Sequence, residues 1–251
     1  MDNITRIEKR GSIYFKRDDT FNVCGVNGGK ARAAYYIISN AIKNGSNVFV
    51  TAGSRQSPQC EIVSEICEHL GVECHLFMPK GKDTSVIEHI NKNKLSSIHR
   101  TKAGYNNVII YNAKKYAEEN NYYYIPFGME CEENLEITKH QVKNIPNSVK
   151  RIIIPCGSGM SMISVIRGLD YYNMYDKEVI GIVVGKDPKK AFEKFLKDTH
   201  IKYRFITSDI KYDNYVKNNN LLGIDLDPIY EAKCIPYLED GNMLWIVGKR
   251  L

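Results

Sequence analysis

Short β-branched runs alternate along the chain with segments whose apolar residues recur every three or four positions. Ser12–Lys16 predicts a short strand, and Ala31–Lys43 carries Ala34, Ile37, Ile38 and Ala41 at helical spacing before stopping at Asn44-Gly45. Asn47–Thr51 predicts a strand, followed by a Gly/Ser loop and a helix over Cys60–Leu70 that ends at Gly71. Glu73–Met78 follows as a strand closed by Pro79. The cycle returns with Ile98–Arg100, a helix near Asn106–Glu119 and Tyr122–Pro126, and again with Arg151–Pro155, a glycine-rich turn and a helix across Met160–Leu169. Lys177–Val184, Ala191–Lys197 and Tyr203–Ile206 form one more unit, and Leu244–Val247 is a last strand. Alternation of this kind predicts βαβ units and parallel sheets, an α/β fold. With no repeat, low-complexity tract or obvious linker, two lobes are expected: residues 47–126 as the smaller, and residues 1–46 with 127–251 as the larger.

Composition narrows this picture only slightly. Across 251 residues, 43% are hydrophobic and 25% charged, the balance of an ordinary soluble globular chain. The N-terminus, MDNITRIEKRGS, is charged and has no apolar core of a signal peptide, and no apolar run reaches membrane-spanning length. Seven cysteines without a Cys-x-x-Cys pair read as reduced thiols, so the expected setting is cytoplasmic and no metal site is expected. The net charge of +6 comes from 35 basic and 29 acidic residues, spread over Lys/Asn-rich stretches such as Asn91–Lys94 and Lys186–Lys197. Solvated faces explain such runs, while a nucleic-acid partner is permitted but not required. The abundance of Lys, Asn, Ile and Tyr resembles usage in an AT-rich, virus-like genome.

Five short features have candidate chemistry. Gly25-Val-Asn-Gly-Gly-Lys30 precedes a helix but fails the spacing of a P-loop and lacks its hydroxyl residue, since Ala31 follows the lysine. A lysine at a helix N-terminus meets the positive end of the macrodipole, which favours an unprotonated, nucleophilic amine. Read by itself, Lys30 is an exposed lysine after a glycine turn before it is a catalytic one, since lysines are mostly exposed. Thr51-Ala-Gly-Ser-Arg-Gln56-Ser57-Pro58-Gln59 lies between strand and helix, where N–H groups and hydroxyls suit an anion, although N-capping by Ser57 with Pro58 at N1 explains part of it. Cys156-Gly157-Ser158-Gly159-Met160-Ser161 suits a phosphate by position and composition without requiring one, and is not the dinucleotide fingerprint. Asp227-Pro-Ile-Tyr230-Glu231-Ala-Lys233 could be a plain junction, and Lys16-Arg17-Asp18-Asp19 a solvated turn.

In their order, these features resemble the fold-type II pyridoxal-phosphate enzymes, in particular the 1-aminocyclopropane-1-carboxylate deaminase and D-cysteine desulfhydrase branch. Members begin with a strand ending in Lys-Arg-Asp-Asp, as Lys16–Asp19 does. A glycine turn then delivers a Schiff-base lysine, like Gly28-Gly29-Lys30, and a Gly-x-x-Gln-Ser-Asn-Gln/His loop resembles Gly53–Gln59. Thr-Gly-Ser-Gly-Gly-Thr resembles Cys156–Ser161, and Asp-Pro-Val-Tyr-Glu-Gly-Lys resembles Asp227–Lys233. The resemblance runs from about residue 13 to 247. It implies a tryptophan-synthase-β-like fold with two lobes, each a mainly parallel sheet flanked by helices. It also implies pyridoxal 5′-phosphate as an aldimine of Lys30, its phosphate on Gly157, Ser158, Gly159, Met160 and Ser161, and Glu231 at the pyridine nitrogen. Tyr230 and Ser57 become candidate acid/base groups, with Ser57, Gln59 and Gln56 holding a substrate carboxylate.

Three positions depart from the family pattern: Pro58 in place of an asparagine, Gly29 in place of another, and Met160 in place of a glycine. The chain is also shorter than such relatives, so a trimmed substrate-facing lobe is expected. The implied activity breaks a bond at or next to Cα of a small amino-acid-like substrate, by deamination, β-elimination or decarboxylation. Two alternatives stand beside it: the same chemistry on an amino-acid-modified nucleobase in DNA, as in virus-type hypermodification, and a non-catalytic cofactor-binding homologue. A homodimer is expected by analogy.

Overall fold

The β-branched runs pair as parallel sheets in a computed structural model of the chain, which describes residues 4–102, 106–185 and 187–249. Lys186 of the lysine stretch therefore lies outside the described residues. In chain order the strands are β1 (Ile7–Arg10), β2 (Ile13–Arg17), β3 (Asn22–Val23), β4 (Val26–Asn27), β5 (Val48–Ala52), β6 (Glu73–Pro79), β7 (Ser96–Thr101) and β8 (Tyr123–Ile125). They continue with β9 (Arg151–Cys156), β10 (Glu178–Val183), β11 (Lys202–Thr207), β12 (Asn220–Leu221), β13 (Ile224–Asp225) and β14 (Met243–Ile246). The helices are α1 (Gly28–Lys43), α2 (Pro58–Leu70), α3 (Ser85–Ile90), α4 (Asn106–Asn120), α5 (Glu132–Lys139), α6 (Met160–Tyr171) and α7 (Lys189–Phe195).

By compactness the chain forms two units. One comprises the chain up to Phe21, Asn27–Gly29 and the chain from Asn134 onward; the other comprises Asn22–Val26 and Lys30–Glu133. The division differs from the sequence reading, which put residues 1–46 with the C-terminal segment: here the helix that begins at Gly28-Gly29 goes with the smaller unit from Lys30 on.

The larger unit is built on a six-stranded sheet of order β1-β2-β14-β9-β10-β11, parallel except for the β1–β2 pair. Its central strands β9 and β14 are almost wholly buried, which explains their uninterrupted apolar runs: a parallel sheet covered on both faces has no wet side to alternate with. Successive residues supply opposite faces. Ile152, Ile154, Met243 and Trp245 pack in one core cluster with Ile163 and Ile166 of α6. Ile153, Leu244 and Ile246 pack in the other with Ile180 and Ile182.

The charged motif after the first strand is not a solvated turn, because Lys16 and Asp18 are fully buried. The Lys16 ammonium donates to the Thr5 carbonyl and to Asn144 Oδ1, both at 2.8 Å, and lies over the Trp245 ring. Asp18 accepts from Thr5 Oγ1 at 2.6 Å and from Trp245 Nε1 at 3.2 Å. Buried charges persist only when hydrogen-bonded in this way, so the motif serves to tie β2 to β14 and the N-terminal segment.

The smaller unit has a four-stranded, all-parallel sheet of order β7-β6-β5-β8. Val50, Ala52 and Phe77 pack against Ile109, Ala113 and Ala117 of α4. On the same sheet His75 Nδ1 and His99 Nε2 share a hydrogen bond at 2.9 Å, His75 stacks on Tyr122 and His99 on Phe77. The short helices α3 and α5, of six and eight residues, were not predicted from the sequence. Among the described residues no helix is long and apolar enough to cross a membrane.

Candidate functional site

In the larger unit, β9 ends at Cys156 and α6 starts at Met160, with Gly157, Ser158 and Gly159 between them. Gly159 caps the helix at φ +91°, a left-handed conformation that favours glycine; a Cβ there would also sit 3.0 Å from Pro188 and 3.2 Å from Phe192. A Cβ at Gly157 would lie 3.3 Å from the Tyr230 ring. The first-turn amides of α6 have no partner within the helix, and the dipole adds positive potential there, which suits an anion. The Met160 side chain is buried in the core cluster with Ile163 and Ile166.

Tyr230 and Glu231 lie where Asp227 closes a tight turn: Asp227 Oδ1 accepts from the backbone N–H of Ile229 at 2.8 Å and of Tyr230 at 3.0 Å. Glu231 is completely buried. Its Oε1 accepts the Val247 N–H at 2.7 Å, while Oε2 is buried with no hydrogen-bond partner among the described residues. Burial first, and the negative charges of Asp227 and Asp19 with it, hold its pKa well above the carboxylate range, against the Val247 N–H that lowers it. The other side of Val247 faces the lysine-bearing turn, since its carbonyl accepts the Gly29 N–H at 2.9 Å. Gly28, at φ +92°, passes so close that a Cβ would lie 2.6 Å from that carbonyl oxygen. The next residue after Gly29 is Lys30, so backbone bonds fix the Glu231 carboxyl and the start of α1 on either side of one residue.

In the smaller unit, Lys30 is half-buried in the first turn of α1, and its positive charge acts on Cys60, whose thiol burial pushes up and Lys30 draws back. Ser57 caps α2 and accepts the Gln59 N–H at 3.4 Å, with Pro58 at the first helical position, where a missing N–H costs nothing. Gln59 is buried, and its side-chain nitrogen donates to Thr51 Oγ1 and to the Pro126 carbonyl, both at 2.9 Å. Its side-chain amide thus braces the loop. Arg55 anchors the same loop outward, donating to the Lys82 carbonyl at 2.8 Å while its own carbonyl accepts from Thr84 Oγ1. Gln56 is half-buried in this loop.

A family model described as "Pyridoxal-phosphate dependent enzyme" matches residues 2–214. The chain belongs to that family. It is a fold-type II enzyme with pyridoxal 5′-phosphate as cofactor. D-cysteine desulfhydrase of Yersinia enterocolitica is 24% identical over 91% of this chain and 80% of its own. The O-seryl-dTMP PLP-dependent decarboxylase of Salmonella phage ViI is 27% identical over 70% of this chain, and the match spans about half of that enzyme, 48%. Among solved structures, an ACC deaminase homologue superposes with a TM-score of 0.80 at 20% identity, covering 94% of this chain and 84% of its own. Maize serine racemase superposes at 0.68 and 12% identity, covering 99% and 89%. Those structural likenesses concern the fold.

The residues present fit such a cofactor. A buried carboxyl oxygen without a donor matches the N–H of a protonated pyridine, and the turn at Gly157–Ser161, too tight at two points for a side chain, matches a phosphate. Two residues beside these have partners that only the fold shows. The Tyr212 hydroxyl stands 3.2 Å from that of Tyr230, and Lys233, which looked like part of a junction, is buried with its ammonium on the carbonyls of Lys211 and Tyr212. No local signal marks Tyr212, because the stretch between β11 and β12 has no period at all.

Proposed function

We propose that this enzyme breaks a bond to Cα, or to the atom next to it, in a substrate carrying an α-amino-acid group. The observation that carries the reading is the buried Glu231 carboxyl, with one oxygen fixed by the Val247 N–H and the other left without a donor among the described residues, while the Val247 carbonyl accepts the N–H of Gly29, the residue before Lys30. Pyridoxal phosphate, when bound, supplies an electron sink for charge developing at Cα. Lys30 anchors it and moves a proton at Cα; Gly157, Ser158, Gly159, Met160 and Ser161 hold the phosphate through N–H groups and hydroxyls; Glu231 accepts from the ring nitrogen. Tyr230 and Ser57 are the proton donors and acceptors over the substrate, while Ser57, Gln56 and the backbone of Gln59 orient its carboxylate.

Borohydride reduction of the cofactor-loaded protein followed by peptide mapping tests the anchor: pyridoxyl on Lys30 is expected, and label on another lysine would refute the assignment. Screening D- and L-amino acids for released ammonia, sulfide or carbon dioxide separates deamination, β-elimination and decarboxylation.

A second reading puts the amino acid on a nucleotide or DNA base. The phage decarboxylase among the relatives and the net charge of +6 favour it. Turnover of a polymeric substrate would then fall steeply with salt as phosphate contacts are screened, whereas a free amino acid would show no such slope.

A further inference from the structure

Residues between β11 and β12 form turns and bends, and most are exposed. Tyr212 is held instead: it is half-buried, with its hydroxyl 3.2 Å from that of Tyr230 and the two rings nearly perpendicular, at 77°. A Cβ at Gly185 would lie 3.5 Å from the Tyr212 ring, so the ring is backed closely on one side. Lys233 holds the backbone beneath it. Its side chain is buried, its ammonium donates to the carbonyls of Lys211 at 2.8 Å and of Tyr212 at 3.1 Å, and it lies 5.9 Å over the Tyr212 ring. Burial pushes the ammonium's pKa down, and the carboxylates of Asp213 and Asp227 oppose that shift. A buried ammonium costs free energy that an apolar side chain of the same length would not, so stability alone gives no reason for a lysine here. Lys233 also sits one helical step after Tyr230, whose carbonyl accepts its N–H at 3.2 Å. One residue therefore grips both the segment that carries Tyr212 and the turn that carries Tyr230.

We propose that Lys233 is a positioning residue, clamping residues 211–212 so that the Tyr212 hydroxyl fixes the direction of the Tyr230 hydroxyl. The proposal rests on the reading of Tyr230 as a proton-moving group. Lys233→Met keeps the length and removes the donors. In the cofactor-loaded protein, amide exchange over residues 211–214 should quicken by about tenfold or more while β9 and β14 stay protected. With the amino acid returned by the screen, kcat should fall about ten- to a hundredfold and KM change less than about threefold, the signature of lost alignment rather than lost binding. Tyr212→Phe should give the same kcat loss, and the double variant no more than the larger single loss, because both act through one hydroxyl. Unchanged exchange in Lys233→Met overturns the clamp, and so do losses that multiply in the double variant. Should Lys233→Met fail to fold, Lys233→Arg retains the donors and must keep both the exchange protection and kcat; loss of either overturns the proposal. If Tyr230→Phe leaves kcat intact, it is the reading of Tyr230 that fails, and the exchange experiment, which needs no substrate, still decides the clamp.

Discussion

Replacing Glu231 with glutamine should change how the stability of the cofactor-free protein depends on pH. The carboxyl is fully buried, one oxygen has the Val247 N–H and the other has no donor among the described residues, so its folded-state pKa is raised well above the ordinary 4.5. Between those two values the folded protein keeps a proton that the unfolded chain has released. Stability from this group is therefore fully present below pH 4.5 and is lost as pH rises through the folded-state pKa, by up to about 1.4 kcal/mol per pH unit. The glutamine in Glu231→Gln keeps the acceptor for Val247 and has nothing to titrate; its extra amide donors cost about 1–3 kcal/mol at every pH. The offset between the proteins thus carries little information and the slope carries all of it. Trp245, the only tryptophan, is buried on β14 in the same unit, so its fluorescence through a urea titration reports this unit's unfolding. As pH rises above about 4.5, wild type should lose stability relative to Glu231→Gln, and loading with pyridoxal phosphate should shrink the difference by giving the charge a partner. Parallel stability curves for the two cofactor-free proteins would refute the argument.

Other outcomes follow from single contacts. Gly28→Ala should cost several kcal/mol in urea unfolding, because a left-handed residue meets the Val247 carbonyl at 2.6 Å, whereas Gly25→Ala, left-handed with nothing within 4 Å, should cost about 1–2 kcal/mol. Gln59→Leu removes the donors to Thr51 Oγ1 and to the Pro126 carbonyl, which keep their bonds to Ile125 and Met129, and should destabilise the smaller unit by about 1–3 kcal/mol, read by exchange protection of β5. His75 and His99 both have lowered pKa values, burial being the main cause for each. Stability of the smaller unit should therefore drop as pH falls below about 6.5, with melting of the His75→Phe/His99→Phe pair showing a flatter profile.

The sequence by itself determined the layered α/β architecture, because period-2 and period-3.6 patterns are local consequences of backbone geometry and survive any tertiary arrangement. It also marked Lys30, the Gly157–Ser161 turn and the Tyr230-Glu231 pair, since a glycine forced into a left-handed or crowded position is visible as a glycine. What it could not decide was which polar groups would be buried and with whom. Lys16 and Asp18 read as a wet turn because four charges in a row are usually solvated; only the arrival of Trp245 and Thr5 from other parts of the chain made them internal. Gln59 read as a residue at a substrate, and only the fold shows its side-chain nitrogen donating to Thr51 and Pro126. Tyr212 and Lys233 acquire meaning only from the fold, which brings an aperiodic loop onto a buried ammonium. Hydrogen bonds between residues far apart in the chain leave no trace in local periodicity, and at this site they decide which side chains are braces and which are left to act.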